Sequence, residues 1–381
     1  MEEWKTYKLG DLIKIKYGKD HKSLADGNYP AYGSGGVMRM VERPIYDKPS
    51  ILIPRKGSLN NIIYTEKPFW TVDTMFWTII DTKLVLPHYL YYTIKDVDFA
   101  SLNVGSAVPS LTCPIIEAIE VSIPSIETQK MILNCIEPLD SKIELNNRIN
   151  HNLEMQAQAL YKSWFVDFEP FRGGKFVNSE LGLIPIGWDA KPLSSICHIE
   201  KKTINPQKYP TCLFTHYSIP AYDNSELPEL QKGSDILSNK YIISDYTILF
   251  SKLNPRIKRI WNVYQSESNP ICSTEFVVYK PMNIDTYPFL YSFITGDVFY
   301  NNIMSKVNGA TGSHQRFHPE ETLDILVPYH IDCYRLYSQL VLPIIQQIDE
   351  NKRENHYFSS LRDSLLPKLM SGELKINDLT C

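Results

Sequence analysis

The chain of 381 residues has no C-x-x-C pair, and its 7 cysteines stand apart, which excludes a zinc cluster and a disulfide framework as organising features. Reduced cytosolic thiols are the expectation. No apolar stretch approaches the ~20 residues that span a bilayer, and the opening Met-Glu-Glu-Trp-Lys lacks the basic and then apolar run of a secretory leader. The expected location is therefore cytoplasmic. Net charge is also scarce: 39 Lys and Arg stand against 43 Asp and Glu, which argues against a basic tail or a general nucleic-acid coat.

Catalytic sets are missing as well. Adenine methyl transfer needs an Asn or Asp followed by Pro-Pro and an aromatic to hold a flipped base, and Asn254-Pro255-Arg256 does not supply it. No glycine-rich cofactor loop follows a strand, and Gly33–Gly36 lacks the Gly-Lys-Ser/Thr of a P-loop. Glu200-Lys201-Lys202 is the nearest approach to a metal-nuclease cluster and reads as a solvated turn. His314 and His318 read as loop histidines, because Pro319 adjoins them and no carboxylate cage is near.

What is present is a pattern written twice. From Ile126 to Gly174 apolar residues recur at spacings of three and four (Ile136, Leu139, Ile143, Leu153, Ala157, Leu160, Trp164), a coiled-coil seam interrupted by Asn146 and Asn150. Shifting by 205 residues lays a C-terminal copy over it. Pro138 meets Pro343, Ile143 meets Ile348, and the interruptions meet Asn351 and Asn355; Ala157 falls on Arg362, a charge expected at the seam edge.

Upstream, at an offset of 204, Ile119, Val121 and Ile123 match Leu323, Ile325 and Val327, and Ile115 to Ile123 reads as a strand entering the helix. At the two starts, Trp4, Leu9, Leu12 and Ile15 match Trp188, Leu193, Ile196 and Ile199 at an offset of 184. The order of elements predicts antiparallel helices of roughly 38 residues, each ~57 Å long at ~1.5 Å per residue. Ser125 is the expected N-cap of the first, and Glu169-Pro170 closes it near Asp167. The fold class is α+β: two α/β domains joined by two long antiparallel helices, with an internal pseudo-two-fold repeat. The expected divisions are 1–125, 126–174, 175–329 and 330–381.

Candidate binding residues gather where strands end. Trp4–Lys16 reads as a strand and turn, and Tyr32–Gly36 as a loop, with Tyr32 and Ser34 candidates beside glycines that serve either a hairpin tip or a phosphate contact. Ser50–Pro54 is an expected buried strand delivering Arg55, Lys56, Ser58 and Asn60, a set suited to phosphates and base edges. Phe69–Trp77 reads as one aromatic strand, and Gly182–Trp188 as an entry linker to the second domain. There Tyr246–Phe250 is an expected strand delivering Lys252, Asn254 and Arg256, followed by Lys258 and Arg259 with Trp261 and Tyr264 interleaved. Ser106, and the donors Ser313, His314, Gln315 and Arg316, sit in small-residue loops. Residues 1–67 hold 12 Lys or Arg against 8 Asp or Glu, a local basic surplus.

These features together resemble the specificity (S) subunit of type I restriction-modification systems, over essentially the whole chain. Tyr161–Phe171 (YKSWFVDFEPF) looks like the family's central conserved region and Leu361–Leu374 (LRDSLLPKLMSGEL) like its distal one. Gly105–Leu111 (GSAVPSL) and Gly309–Arg316 (GATGSHQR) resemble the loops that close each target recognition domain. The resemblance implies a non-catalytic DNA-recognition chain reading a bipartite double-stranded target, with the helices as spacer. It implies two modification subunits carrying S-adenosylmethionine and methylating adenine, restriction subunits using ATP and Mg²⁺, and no cofactor on this chain. The alternatives are a self-sufficient DNA methyltransferase or nuclease with an unusual motif, and a pure coiled-coil scaffold.

Overall fold

The computed structural model describes residues 4–105, 108–306 and 316–374. Two compact units are present, Met1–Lys142 with Phe358–Cys381, and Ile143–Tyr357. The division falls inside both long helices, Ile126–Phe165 and Ile331–Met370, so each unit takes part of each helix.

The first unit is built on Ser50–Pro54, a strand buried along its whole length. An apolar run with no polar alternation needs cover on both faces. Ile51 and Ile53 meet Leu12, Phe76, Tyr89 and Leu90 on one side. Leu52 meets Phe69, Met75 and Trp77 on the other. The sheet order is Ile13–Tyr17, Met75–Ile80, Ser50–Pro54, Ile63–Thr65, and a three-stranded sheet of Gly36–Val41, Tyr29–Gly33 and Trp70–Thr71 completes the unit. The helix Pro87–Ile94 opens on its proline, where the missing N–H costs nothing, and buries Tyr89, Leu90, Tyr92 and Ile94.

The second unit repeats the plan. Thr247–Ser251, wholly buried, lies between Phe276–Pro281 and Ile260–Val263, with Cys197–Ile199 at the edge. A five-stranded sheet around Pro270–Ser273 replaces the three-stranded one. In both units a short antiparallel ribbon precedes the long helix: Lys5–Lys8 with Glu120–Ile123, and Asp189–Pro192 with Leu326–Tyr329.

Several expectations need correction. Trp4–Lys16 contains the strand Lys5–Lys8, one helical turn at Leu9–Leu12, and a second strand starting at Ile13. Phe69–Trp77 is two strands in different sheets, Trp70–Thr71 and Met75–Ile80, with a corner between them. Residues Cys113–Glu117 are helical, because Pro114 starts a turn, and the strand is confined to Glu120–Ile123. Gly182–Trp188 is not a simple linker: Gly182–Pro185 pairs with Phe176–Ser179 as a hairpin.

The repeat offset at the ribbons is also different. Leu9 N–H donates to the Ile119 carbonyl and Leu193 N–H to the Ile325 carbonyl, both at 2.8 Å, so Ile119 corresponds to Ile325. The structural offset is 206, not 204. A slip of two residues keeps every side chain on its own face, so the pattern of apolar residues could not detect it.

Ser125 does cap the first long helix, its Oγ accepting from Thr128 N–H at 3.2 Å. Gln129, fully buried, then fastens that helix: its Oε1 accepts from Leu86 N–H at 2.7 Å and its Nε2 donates to the Leu84 and Pro124 carbonyls. The helix ends at Phe165, and Phe168 turns away in the left-handed region with φ of 51°.

Both units hold antiparallel helix segments. In the first, Ile132, Leu133 and Ile136 share a core with Leu366 and Leu369, and Arg362 donates to Asp140 at 2.6 Å. Arg362 is thus ion-paired to Asp140 and Asp363, and Asp140 also accepts from Tyr92. Its counterpart Ala157 leaves room for Tyr337, whose hydroxyl donates to the Ala157 carbonyl at 3.2 Å. In the second unit Asn146 donates to Asn355 at 2.9 Å, and Asn351 donates to Asn150 at 2.7 Å. The 205-residue shift exchanges these two pairs. Around them the expected seam is displaced: Leu153, Leu160 and Trp164 are half-buried, while Tyr161 and Phe165 are enclosed with Ala157.

Asn150→Ala should therefore leave the Asn351 amide buried without its acceptor and lower stability by about 1–3 kcal/mol, read by chemical denaturation. The double replacement Asn150→Leu with Asn351→Leu should recover most of that loss, because both polar partners leave together.

Candidate nucleic-acid interface

In the first unit, three loops anticipated separately meet at the end of Ser50–Pro54. Arg55 and Lys56 N–H groups donate to the Thr74 carbonyl at 2.8 and 3.2 Å, in the corner between the two sheets. Leu111 N–H donates to the Arg55 carbonyl at 2.9 Å and Gly57 N–H to the Pro109 carbonyl at 3.1 Å, which brings in the third loop. Asn61 Nδ2 donates to the Ser34 carbonyl at 2.8 Å, fixing the Tyr32–Gly36 loop against this set. Gly57 takes a φ of +91°, and a Cβ there would lie 2.8 Å from Ser34 Oγ, so conformation and space both call for glycine.

The side chains differ in availability. Lys56 and Ser58 are exposed, and Lys56 has no ion pair among the described residues. The Arg55 guanidinium donates to the Asp73 carbonyl at 3.1 Å and lies over the Tyr17 ring at 5.5 Å. Tyr17, 56% exposed, was not anticipated, because alternation alone does not say which strand end joins the loops. Asn60 is committed within the fold: its Nδ2 donates to Asp98 at 3.1 Å and its Oδ1 accepts from Ala100 N–H at 2.8 Å. It shapes a concavity of about 370 Å³ lined by Gly57–Asn61, Ala100, Asn103 and Pro109. Tyr32 is half-buried, and its carbonyl accepts from Val72 N–H at 3.0 Å.

The second unit repeats the corner. Lys252 N–H donates to the Glu275 carbonyl at 2.8 Å, so Lys252 occupies the place of Arg55, and Glu275 that of Thr74. Burial pushes the Lys252 ammonium below the ordinary lysine value, and Glu275 works against the fall. Arg316 donates to Glu275 Oε1 at 3.1 Å. Asn254 adopts a left-handed φ of 49° and its carbonyl accepts from Ile257 N–H at 3.0 Å, a turn that presents Arg256. Arg256 is exposed and has no ion pair among the described residues.

The cationic cluster expected after it divides. Lys258 is held by Asp297 at 3.1 Å and lies 4.5 Å from the Tyr300 ring centroid. Arg259 is 9% exposed and grips both Asp223 oxygens, at 2.6 and 2.9 Å. Its fork is consumed inside the unit, so it is corrected from a surface contact to a structural residue. Sequence order placed it among cations, but the strand entering at Ile260 turns its side chain inward. Ser106, Ser313, His314 and Gln315 lie outside the described residues. Among the described residues no group of His, Cys, Asp and Glu is arranged to hold a metal ion, and no helix is long and apolar enough to cross a membrane.

Arg259→Ala should destabilise the second unit by about 1 kcal/mol, through loss of the enclosed guanidinium's two hydrogen bonds to the half-exposed Asp223, whereas Arg256→Ala should leave thermal unfolding unchanged. Differential scanning calorimetry of the two variants separates the roles; equal shifts would refute the division.

Comparison with known proteins gives a consistent picture. The family described as Type I restriction modification DNA specificity domain matches residues 1–155. The chain is 28% identical to the type I restriction enzyme MjaIX specificity subunit of Methanocaldococcus jannaschii, over 98% of this chain and 89% of that one. It is 32% identical to the HindI specificity subunit of Haemophilus influenzae over 45% of this chain and 43% of the other. Among solved structures, a type I restriction-modification S subunit from M. genitalium has the same fold, with a TM-score of 0.64 at 16% identity, covering 97% of this chain and 96% of that one.

Proposed function

We propose that the chain is a specificity subunit of the type I restriction-modification family and that each unit reads one half of a bipartite double-stranded DNA target. The observation that carries this reading is the repeated corner: in each unit a buried strand ends in a cation whose backbone is fixed by a carbonyl between two sheets. Backbone amides, exposed cations and small polar side chains at one end of a rigid sheet suit phosphate contact and base-edge readout together. Lys56, Ser58, Ser34 and Arg55 serve the first half-target, and Lys252, Asn254, Arg256 and Arg316 the second. Residues 1–125 and 175–329 are the two target recognition domains, and 126–174 and 330–381 carry the conserved helical regions.

Catalysis is assigned to partners. Two modification subunits would carry S-adenosylmethionine and methylate adenine, and restriction subunits would use ATP and Mg²⁺. The long helices, 40 residues each, dock the modification subunits and set the number of unspecified base pairs between the half-targets.

Methyl transfer to genomic DNA, followed by sequencing of modified adenines, tests the reading directly. A two-part motif methylated only when this chain is assembled with modification subunits is the expected result. Methylation by the chain alone would point to an active site of its own. Adding one heptad to both helices should lengthen the spacer by ~10 Å, or about three base pairs at ~3.4 Å each. Unchanged spacing would reject the spacer role. In the same assay Arg55→Ala should weaken dependence on one half-target and Arg256→Ala on the other, and equal losses on DNA altered in either half would refute that division.

A further inference from the structure

Glu275 is a carboxylate at the second unit's corner whose side chain the cationic reading does not use. It stands in the turn between Pro270–Ser273 and Phe276–Pro281, its N–H donating to Ser273 Oγ at 3.2 Å and its carbonyl accepting from Lys252. The first unit has Thr74 at the same place. One side-chain oxygen, Oε1, accepts from Arg316 at 3.1 Å. The other, Oε2, is shut away from water and has no hydrogen-bond partner among the described residues.

Two facts are difficult to reconcile with a purely structural role. A carboxylate between Lys252 and Arg316 repels phosphate, so a surface built only to hold a DNA backbone would do better without it. Steadying Arg316 also needs one oxygen, and the second remains desolvated and unpaired, an arrangement that costs stability. Base edges in the major groove present donors as well as acceptors, and an ionised carboxylate accepts without donating. Arg316, 55% exposed in its side chain, is the movable partner. When its fork turns to a guanine edge or a phosphate, Glu275 Oε1 is released to accept from an incoming donor.

We infer that Glu275 is a specificity-determining residue that accepts a hydrogen bond from the exocyclic amino group of one cytosine or adenine in the second unit's half-target. The inference rests on the DNA-recognition reading and names one contact within it. Thr74, whose hydroxyl both donates and accepts, gives the first unit no equivalent filter.

The test uses the chain assembled with its modification subunits. Methylated motifs are compared for wild type, Glu275→Gln and Glu275→Ala, with thermal melting as the check on folding; the glutamine keeps the size of the side chain if the alanine unfolds. The expected result is loss of discrimination at a single position of one half-target, by roughly tenfold to a hundredfold, with the other half unchanged. Binding is then measured on duplexes in which the base at that position is replaced by an analogue lacking its amino group. Removing the amino group should weaken wild type about tenfold and leave Glu275→Ala unaffected.

A folded variant with an unchanged motif, or an equal penalty in wild type and variant, overturns the contact while leaving the two-part reading intact. Absence of any two-part motif for the wild-type assembly would overturn both.

Discussion

One backbone hydrogen bond governs where the cations of each unit stand. The strand Ser50–Pro54 is buried on both faces, so its last residue has one way out, at the sheet's end. There the Thr74 carbonyl receives the Arg55 amide, and the Glu275 carbonyl receives Lys252 in the same manner. A residue so held cannot swing its main chain, and its side chain leaves the sheet in a fixed direction. The closing loop is then bound to the Arg55 carbonyl through Leu111, which converts three loops into one surface. Preorganisation of this kind reduces the ordering cost of binding, because loop entropy is lost on folding and not on contact.

The helix segments obey a different constraint. Asn146 and Asn150 are buried, whereas Leu145 and Ile149 on the same helix are exposed, the reverse of ordinary amphipathic order. Buried amides are costly unless they meet partners, and here the Asn146 amide nitrogen donates to Asn355 and Glu354 and the Asn351 nitrogen to Asn150, while Asn146 Oδ1 stays buried without a partner among the described residues. Sliding the helices by one turn would break both pairs and bring only two of the four asparagines face to face. The arrangement gives up apolar contact and gains a single register, the best attested use of polar groups at a seam.

Much of this was legible in the sequence, and the limits were physical. Periodicity gave the long helices, and the asparagine interruptions gave the repeat, because both are written at fixed spacing. The cationic strand ends were legible because a short apolar run followed by Arg55-Lys56 or Lys252 has a recognisable outline. The two-residue slip at Ile119 was not, since alternation with period two is blind to it. The corner at Val72–Thr74 was hidden between two aromatic pairs, Phe69-Trp70 and Phe76-Trp77, with no glycine or proline to mark it. Arg259 misled for the opposite reason: its neighbours in sequence are cations, but its partner Asp223 lies 36 residues away. Composition locates charge along the chain, and tertiary pairing decides which charge remains available.

The two corners share a backbone and differ in chemistry. Tyr17 lies opposite Phe76 in the first sheet, and continuing the register of Cys197–Ile199 places Lys201 opposite Val277 in the second. Position for position, Tyr17, Arg55 and Thr74 correspond to Lys201, Lys252 and Glu275. The first set is an exposed ring with a guanidinium over it and a threonine at the corner. The second is two ammonium groups and a carboxylate, with Lys201 held by Glu320. The hydrogen bonds that fix the frame use main-chain atoms, so side chains at these places can change without loss of the frame. That separation leaves geometry to the backbone and variation to the side chains, which is what reading different bases with two copies of one frame would require.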